Sequence, residues 1–373
     1  MTEQARGAVV RSQGGEIAIE PIEVDPPAQG EVLVRVVANG ICHSDSWAID
    51  HGNWGEPFPM LLGHEGAGVI EQIGSGVTDL APGDHVVLAW AVPCGRCRAC
   101  LRGAVRRCDH GWTQPPRLRI AGTGEPLTGT LSLGTLATHT VVHAAQAIRV
   151  PAEADLTRVC LLGCGASTGI GAAVNTAGVW PGATVAVIGL GGIGLGALQG
   201  AKIAGAGRLI AVDLVAAKFD IARRLGATDT VDASAGDAVA AVRALTGGEG
   251  VDVAFEATGN ARVVSQAVAM VGRSGLAVAI GVPAPDSEIT LAWGGDRPEA
   301  AYPNKASLLV TDGGDPIPAE DFPTWVGWFL DGHLDLDGMV TREAGFTEED
   351  LDEAFRAMLA GEVVRTVVRI GDV

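Results

Sequence analysis

The fold of this chain is decided by the stretch "TVAVIGLGGIGLGALQGAKIAGAGRLIAVD", residues 184–213. Its order is an apolar run, a glycine-rich turn, a helical stretch of small residues and a second apolar run, which is typical of a strand–helix–strand unit. Gly189 allows the tight turn, Gly191 lets the backbone approach a pyrophosphate, and Gly194 lets the helix pack closely on the strand. The unpaired N–H groups at the start of the helix would receive the phosphates. The stretch therefore predicts a dinucleotide site.

An acidic residue closes the second apolar run. Asp213 follows Gly194 by 19 residues, at the distance from which a carboxylate accepts hydrogen bonds from the ribose hydroxyls of adenosine. The same carboxylate would repel a 2′-phosphate. The sequence therefore predicts NAD as the cofactor rather than NADP.

The surrounding sequence divides into a β-rich part and an alternating part. "KFDIARRLGAT" predicts a further helix, and "DVAFEATG" and "GLAVAIGV" predict buried strands of a parallel sheet. Short runs such as "EVLVRVVANG" and "GAGVIEQIG" end in glycine and predict a β-barrel nearer the N-terminus. We therefore predict an α/β plus β protein. A β-rich part would cover residues 1–165 and a doubly wound parallel-sheet part residues 166–306, and the pattern changes again over residues 307–373.

Composition and charge restrict the possible partners. Hydrophobic residues make up 47% of the 373 residues and charged residues 19%, so the chain is globular. A net charge of −18 argues against nucleic acids and anionic membrane surfaces, which attract basic patches. The first residues, "MTEQARGAVV", lack the basic start and apolar run of a secretion signal. We therefore expect a cytoplasmic protein that acts on a small molecule.

Four of the seven cysteines stand in one short segment, "CGRCRACLRGAVRRC", residues 94–108. In a reducing compartment, clustered cysteines bind metal more often than they form disulfides. Four thiolates can surround one tetrahedral zinc ion and leave no position open, so such a site is structural. The five arginines of the segment would offset the negative charge of the thiolates. The spacing predicts a structural zinc site made by Cys94, Cys97, Cys100 and Cys108.

A second set of metal-binding residue types is spread over three segments. Cys42 lies in "GICHSD", His64 in "GHEGAG", and Cys160 and Cys164 lie in "CLLGCG". One imidazole and two thiolates can bind zinc and leave a fourth position open. Each of these residues alone is more often a core residue than a ligand. Their combination with a nucleotide fold and a separate structural zinc site favours a catalytic metal centre.

These motifs resemble, in their order and along nearly the whole chain, those of the zinc-dependent medium-chain alcohol dehydrogenases. The segments that carry the resemblance are "GICHSD", "GHEGAG", "CGRCRAC", "LLGCGASTGIGAAVNTA", "GLGGIGLGALQGAKIAGA" and "VVRTVVRI". The resemblance implies a GroES-like β-barrel catalytic domain of residues 1–165 and 307–373 and a Rossmann cofactor domain of residues 166–306. It assigns a catalytic zinc ion to Cys42, His64 and Cys164, and it leaves Cys160 as a small buried residue.

The resemblance also assigns roles to residues around the zinc ion and the cofactor. Ser44 would take the proton of the alcohol, and Asp45 and Glu65 would be carboxylates around the zinc ligands. The implied cofactor contacts are Thr168 beside the nicotinamide, Lys218 with Asp213 on the ribose, and His43 and Arg365 at the pyrophosphate.

The proton relay departs from the pattern of the family. Many relatives carry a histidine five positions after the first zinc cysteine, where this chain has Trp47. An indole has no basic lone pair, so Trp47 cannot accept a proton. The relay from Ser44 would then end at the cofactor ribose and solvent, or it would use His51. Trp47, Trp54 and Trp90 are assigned to the substrate pocket, although a tryptophan is equally often part of a core.

The sequence is compatible with three functions. The first is a zinc- and NAD-dependent alcohol dehydrogenase, which transfers a hydride between a zinc-bound primary alcohol or aldehyde and NAD. The second is a formaldehyde or nitrosothiol oxidoreductase that depends on a thiol carrier of the mycothiol type. "CGRCRACLRG" resembles that dimeric branch, but "CDHGWTQP" lacks the arginine with which glutathione-dependent relatives grip the carrier. The third is a non-catalytic NAD-binding or redox-sensing protein.

The resemblance further predicts a homodimer. The segment between Cys108 and "TVVHAAQAIRV" is about as long as in the dimeric branch and longer than in tetrameric relatives. The open edge of the parallel sheet, which we assign to the strand in "GLAVAIGV", would pair across a two-fold axis.

Overall fold

The computed structural model describes residues 3–52, 57–108, 117–295 and 297–372. The chain divides into two compact units. The first consists of residues 1–164, 317–332 and 340–373, and the second of residues 165–316 and 333–339. The sequence suggested a return to the first domain at residue 307. In the structure, Ser307–Val310 is a strand of the second unit, so the return comes at Ile317.

Strands and helices are distributed throughout the described residues, with loops and turns between them. The strands are, in chain order, β1 (Glu3–Val10), β2 (Ala18–Val24), β3 (Glu31–Gly40), β4 (Met60–Leu61), β5 (Gly66–Ile73), β6 (His85–Leu88), β7 (Leu118–Ile120), β8 (Pro126–Gly129), β9 (His139–His143), β10 (Ala147–Arg149), β11 (Thr184–Ile188), β12 (Arg208–Asp213), β13 (Asp229–Asp232), β14 (Val251–Glu256), β15 (Val271–Ala279), β16 (Ser307–Val310), β17 (Val340–Gly345) and β18 (Arg365–Arg369). The α-helices are α1 (His43–His51), α2 (Arg98–Leu101), α3 (Leu156–Val159), α4 (Gly165–Gly171), α5 (Gly192–Ile203), α6 (Phe219–Leu225), α7 (Ala238–Leu245), α8 (Ala261–Met270), α9 (Ala301–Asn304), α10 (Pro318–Leu330) and α11 (Glu348–Leu359). Short 3₁₀ turns link several of them, and Ala172–Thr176 forms a π-helical turn after α4.

The first unit contains a closed barrel and a larger sheet. The barrel follows the order β1-β2-β7-β8-β4, and the sheet follows the order β10-β6-β5-β3-β18-β17 with β9 paired to β3. Alternating apolar side chains of the barrel strands form its core, with Ile22, Leu61 and Leu127 fully buried. The larger sheet provides the framework of the site described below.

The end of β3 is the point where three distant segments meet. Asn39 is paired with Gly66 at the start of β5, and Gly40 is paired with Val367 in β18. The backbone N–H of Ile41 donates to the carbonyl of Thr366 at 2.9 Å. Because strand register fixes which residues lie opposite each other, this pairing gathers the residues just after β3, just before β5 and at the start of β18.

The second unit is built on a six-stranded parallel sheet. Its strand order is β13-β12-β11-β14-β15-β16, which is the 3-2-1-4-5-6 order of doubly wound dinucleotide-binding sheets. Helix α5 packs against β11 and β12, and α8 packs against β14 and β15. The predicted fold class is confirmed. The edge assignment was wrong, because "GLAVAIGV" belongs to β15, which lies between β14 and β16, and the edge strand is β16.

Within the described ranges, no single helix has the length and apolar character needed to cross a membrane. One bent pair, Leu156–Gly163 with Gly165–Thr176, passes that test by length and composition alone.

Candidate functional site

Four buried side chains converge where β3, β5 and β18 meet. The ligand atoms of Cys42, His64, Glu65 and Cys164 all lie within 4.8 Å of one another. Cys42 directly precedes α1, His64 and Glu65 directly precede β5, and Cys164 ends the 3₁₀ turn that follows α3. Zinc–sulfur bonds of about 2.3 Å place tetrahedral ligand atoms at separations of this order. The three residues that the sequence assigned to a catalytic zinc ion are therefore brought together.

The imidazole of His64 is arranged as a metal ligand. Its Nδ1 lies 3.2 Å from Oδ1 of Asp45, and this oxygen also accepts the backbone N–H of Gly63 at 2.9 Å. Its Nε2 is buried and has no hydrogen-bond partner among the residues that the structure describes. A carboxylate on one ring nitrogen fixes the tautomer that leaves the other nitrogen available to a metal. The donor set therefore fits a zinc ion.

The two thiols of the cluster are unequal. A hydrogen bond from Cys164, together with the charge of His64 and of Arg365, lowers the pKa of Cys42 well below its ordinary value. The same hydrogen bond and burial raise the pKa of Cys164 well above its ordinary value. Burial lowers the pKa of His64, but the charges of Asp45 and Cys42 outweigh this effect and raise that pKa well above its ordinary value. Without an ion the cluster therefore favours protons on Cys164 and His64, and zinc binding would release them, since the metal binds thiolates and neutral imidazole.

Glu65, which the sequence assigned to the catalytic site, lies within the buried cluster itself. Burial raises the pKa of its carboxyl group to about 7, in opposition to the attractive charge of Arg365. The guanidinium of Arg365 donates to Oε2 of Glu65, and both side chains are buried. Gly40 leaves room for this carboxylate, because a Cβ at that position would clash with it. Its place beside His64 in "GHEGAG" was the available signal.

This pairing gives Arg365 a partner that the sequence did not suggest. The resemblance placed Arg365 at the cofactor pyrophosphate, whereas its guanidinium is buried at 5% exposure and bonded to Glu65. The positive charge therefore balances a carboxylate beside the thiolates of the metal cluster. A contact between Arg365 and the pyrophosphate stays a prediction.

The four cysteines of residues 94–108 form a second, closed cluster. Their sulfur atoms lie within 4.8 Å of one another. Backbone N–H groups point at the sulfurs: Cys97 N donates to Cys94 Sγ at 3.3 Å, and Cys100 N donates to Cys97 Sγ at 3.4 Å. A hydrogen bond from the backbone N–H of Arg96 makes the largest contribution to lowering the pKa of Cys94 to about 6. Turns that aim N–H groups at thiolates are suited to a structural zinc ion.

One arginine of this loop has a different role from the one predicted. Arg106 was expected to offset thiolate charge, but its guanidinium makes a bidentate pair with Asp321 in α10, the shorter distance being 2.6 Å. Oδ2 of Asp321 also accepts the backbone N–H of Ile317 at 2.7 Å. The loop is thus tied to the residue at which the chain re-enters the first unit.

The glycine turn of the second unit has the shape that a pyrophosphate requires. Gly189 has φ +93°, and a Cβ there would lie 2.7 Å from Cγ2 of Thr258. A Cβ at Gly194 would clash with the carbonyl of Gly189, so helix and strand are in close contact. A Cβ at Gly191 would meet nothing within 4 Å, so its backbone faces open space. The start of α5 is therefore accessible to phosphate groups.

Asp213 lies beside that turn at the end of β12. Its Oδ2 accepts the backbone N–H of Leu190 at 2.6 Å, and its Oδ1 accepts that of Val215 at 2.9 Å. Nζ of Lys218 is 3.9 Å from Oδ2. The structure therefore brings Asp213 and Lys218 together, as the ribose assignment requires. Thr168 is buried in α4 of the same unit.

Helix α1 carries the residues assigned to proton transfer. Ser44, Trp47 and His51 are spaced three and four positions apart, so they share one helix face. The rings of Trp47 and His51 stack with centroids 5.0 Å apart, and Nδ1 of His51 lies 3.2 Å from the carbonyl of Trp47. His43 and His51 are exposed, and Ser44 is half-buried.

The three tryptophans assigned to the pocket have different positions. Trp47 is half-buried on α1, where it packs on His51. Trp90 is half-buried against an apolar cluster that includes Val34 and Ile70, so it contributes to the core of the first unit. Trp54 lies outside the described residues.

Comparisons with known proteins agree with this geometry. Residues 28–152 match the family model described as alcohol dehydrogenase GroES-like domain, and residues 192–314 match the model described as zinc-binding dehydrogenase. S-(hydroxymethyl)glutathione dehydrogenases of Escherichia coli O157:H7 and of Shigella sonnei (strain Ss046) are each 37% identical to the chain over 375 residues, covering 98% of this chain and 100% of theirs.

Two solved structures have the same architecture. The alcohol dehydrogenase zinc-binding domain protein of Burkholderia ambifaria is 34% identical with a TM-score of 0.90, and the match covers all of both chains. The benzyl alcohol dehydrogenase of Acinetobacter calcoaceticus is 29% identical with a TM-score of 0.89, covering 99% of this chain and 100% of that one. Together with the two cysteine-rich clusters and the glycine turn, these matches show that the chain belongs to the zinc-dependent medium-chain alcohol dehydrogenase family.

Proposed function

We propose that this dehydrogenase interconverts primary alcohols and aldehydes, with NAD as the hydride acceptor. The observation that carries the proposal is the buried set of Cys42, His64 and Cys164, in which Nε2 of His64 has no hydrogen-bond partner within the described part of the chain. These residues would hold a zinc ion, which would supply Lewis-acid polarisation of the substrate oxygen. The overall reaction would convert one alcohol and one NAD to one aldehyde, one NADH and one proton.

The residues of the chain divide this work. Ser44, two positions after Cys42 on α1, accepts the hydroxyl proton and passes it toward solvent. Asp45 holds His64 in the tautomer that leaves Nε2 available. Gly191 receives the pyrophosphate of the cofactor, and Asp213 with Lys218 holds the adenosine ribose.

A second candidate is the oxidation of a hydroxymethyl adduct of a thiol. It is favoured by relatives named S-(hydroxymethyl)glutathione dehydrogenase, whereas the benzyl alcohol dehydrogenase favours a simple alcohol. Both substrates present a primary alcohol to the metal centre, so the chemistry is the same. They differ in the rest of the molecule.

Steady-state rates of NADH formation separate the two candidates. The panel consists of ethanol, benzyl alcohol, and formaldehyde alone, with glutathione and with mycothiol. We expect turnover of simple alcohols without any thiol. Turnover that requires formaldehyde together with a thiol would replace the proposal by the second candidate. No turnover by protein that holds two zinc ions would favour the non-catalytic alternative.

We also propose a cytoplasmic homodimer. The edge strand β16 exposes apolar side chains, Leu309 at 41% and Val310 at 77% exposure. An exposed apolar edge invites pairing with another strand, and a two-fold axis would let two copies of β16 pair with each other. Light scattering is expected to give twice the mass of one chain. A monomer or tetramer mass would contradict this arrangement.

Replacing Asp213 by alanine is expected to weaken NAD binding by about 10–100-fold, the value of a charge-assisted hydrogen bond or two. It should also raise the ratio of NADP to NAD efficiency, since the charge that repels a 2′-phosphate is gone. Values of kcat/KM with both cofactors provide the measurement. Asp252→Ala is the control, because Asp252 accepts the N–H of Thr184 at the amino ends of β14 and β11, whereas Asp213 lies at the carboxyl end of β12. A wild-type preference for NADP would refute the assignment.

A further inference from the structure

Three polar side chains form a cluster near the end of the edge strand β16 of the second unit. Oδ2 of Asp315 lies 2.6 Å from Oγ1 of Thr176 and 2.9 Å from Oγ1 of Thr311. The two hydroxyl oxygens are 2.9 Å apart. Thr176 is the last residue of the π-helical turn Ala172–Thr176, and π turns are frequent at functional sites. We call Thr176, Thr311 and Asp315 the Asp315 cluster.

The cluster joins residues 311–315 to the turn that follows helix α4, and the backbone of this loop also contacts α4 itself. Gly314 has φ +80°, and a Cβ there would lie 2.5 Å from the carbonyl oxygen of Thr168. A Cβ at Gly171 would clash with the carbonyl of Gly314. Backbone therefore lies directly on backbone, and the loop and α4 have no space for a side chain between them. A small displacement of the loop would therefore also displace Thr168.

Asp315 itself has a backbone conformation that needs support. Its φ is +51°, in the left-handed region that residues other than glycine seldom adopt. Such a conformation persists where the surrounding contacts hold it in place. The hydroxyls of Thr176 and Thr311 contact its carboxylate, and its backbone N–H donates to the carbonyl of Asp312 at 3.2 Å. The side chain of Asp315 is therefore one of the contacts that hold the loop in this conformation.

The topology of the sheet indicates which half of a bound dinucleotide this loop would face. Thr311 directly follows β16, and its N–H donates to the carbonyl of Ala279 at the carboxyl end of β15. Asp213 ends β12, on the other side of β11 and its glycine turn. A dinucleotide with its adenosine at β12 and its pyrophosphate at β11 must extend its other half across the carboxyl ends of β14, β15 and β16.

We propose that Asp315 is a positioning residue for the nicotinamide half of the cofactor. It acts through the backbone of residues 311–314 and through Thr168, which the loop contacts. The proposal rests on the function proposed above only in taking the ligand to be a nicotinamide dinucleotide. It assigns no direct contact with substrate to Asp315.

The test compares NADH with ADP-ribose, which has the same adenosine, pyrophosphate and second ribose but no nicotinamide. Asp315→Asn removes the charged acceptor and keeps a residue type that tolerates positive φ. Thr176→Val removes one hydroxyl at nearly constant volume. Dissociation constants are measured by NADH fluorescence and by displacement of NADH with ADP-ribose. Asp252→Asn is the matched control, because Asp252 lies at the amino end of β14 and the cluster lies at the carboxyl end of the sheet.

We expect both cluster variants to bind NADH about tenfold or more weakly and to bind ADP-ribose within about twofold of wild type. The control should change neither constant. Equal weakening of both ligands, or an unchanged NADH constant with only a lower melting temperature, would overturn the inference and leave a purely structural cluster. Failure of the wild-type protein to bind ADP-ribose would overturn the cofactor site itself.

Discussion

Cys164→Ser is expected to reduce turnover by ~10³-fold or more and to remove one zinc ion per chain, leaving a folded protein. A serine hydroxyl is not ionised near neutral pH and replaces a thiolate poorly. The remaining Cys42 and His64 are too few to hold the ion firmly, and the Lewis acid is worth several kcal/mol of barrier. Elemental analysis, circular dichroism and steady-state rates measure the three parts of this expectation. Retention of two zinc ions per chain by Cys164→Ser would refute the ligand assignment.

Cys97→Ser is the reciprocal variant. It should also lower the zinc content by one, but its main effect should be on stability and soluble yield, since binding of structural zinc supplies folding free energy on the order of 10 kcal/mol. Without the ordered loop, the bidentate pair between Arg106 and Asp321 would also lose its fixed geometry. A Cys97→Ser protein as stable as wild type would show that the closed cluster does not order its loop.

Ser44→Ala is expected to lower kcat by ~10²–10⁴-fold, the usual value of an acid–base step. Zinc and cofactor should remain bound, because Ser44 is not one of the clustered ligand residues. A deuterated alcohol identifies conditions in which hydride transfer limits the rate. Full turnover by Ser44→Ala under those conditions would mean that solvent reaches the substrate hydroxyl directly.

His51→Gln separates the two possible endings of the relay. Ser44 and His51 are seven positions apart, which is about 10 Å along the axis of α1, too far for direct proton transfer. The imidazole of His51 also contacts the carbonyl of Trp47 through Nδ1 and stacks on the ring of Trp47. We therefore expect near-normal turnover and release of the proton to water. A loss that imidazole buffer restores would instead identify His51 as the relay base.

The sequence predicted those parts of the site that are encoded locally. Cys94, Cys97 and Cys100 are close in sequence, so their spacing alone constrains one tetrahedral cluster. Gly189 and its strand–turn–helix context are likewise contiguous. The catalytic cluster was different, because strand register brings Cys42 and His64 together and Cys164 joins them from the turn that follows α3. Their assignment depended on resemblance rather than on spacing.

The features that the sequence did not predict depend on long-range pairing. The apolar run of β16 is only four residues long, and whether it closes the sheet depends on its register with β15. The partner of Arg365 depends on the pairing of β18 with β3. The Asp315 cluster joins residues about 140 positions apart on two elements whose contact no local pattern encodes.

The contact between Glu65 and Arg365 spans 300 residues, and this has a consequence for biosynthesis. A chain that emerges from the ribosome N-terminus first completes the whole cofactor unit before β18 is made. Until then Cys42, His64 and Cys164 can meet, but the carboxylate beside them has no guanidinium, and β3 lacks one of its neighbours. Burying that unpaired charge is unfavourable. A prematurely terminated chain would therefore lack both a neighbour of β3 and the guanidinium that pairs with the buried carboxyl group of Glu65.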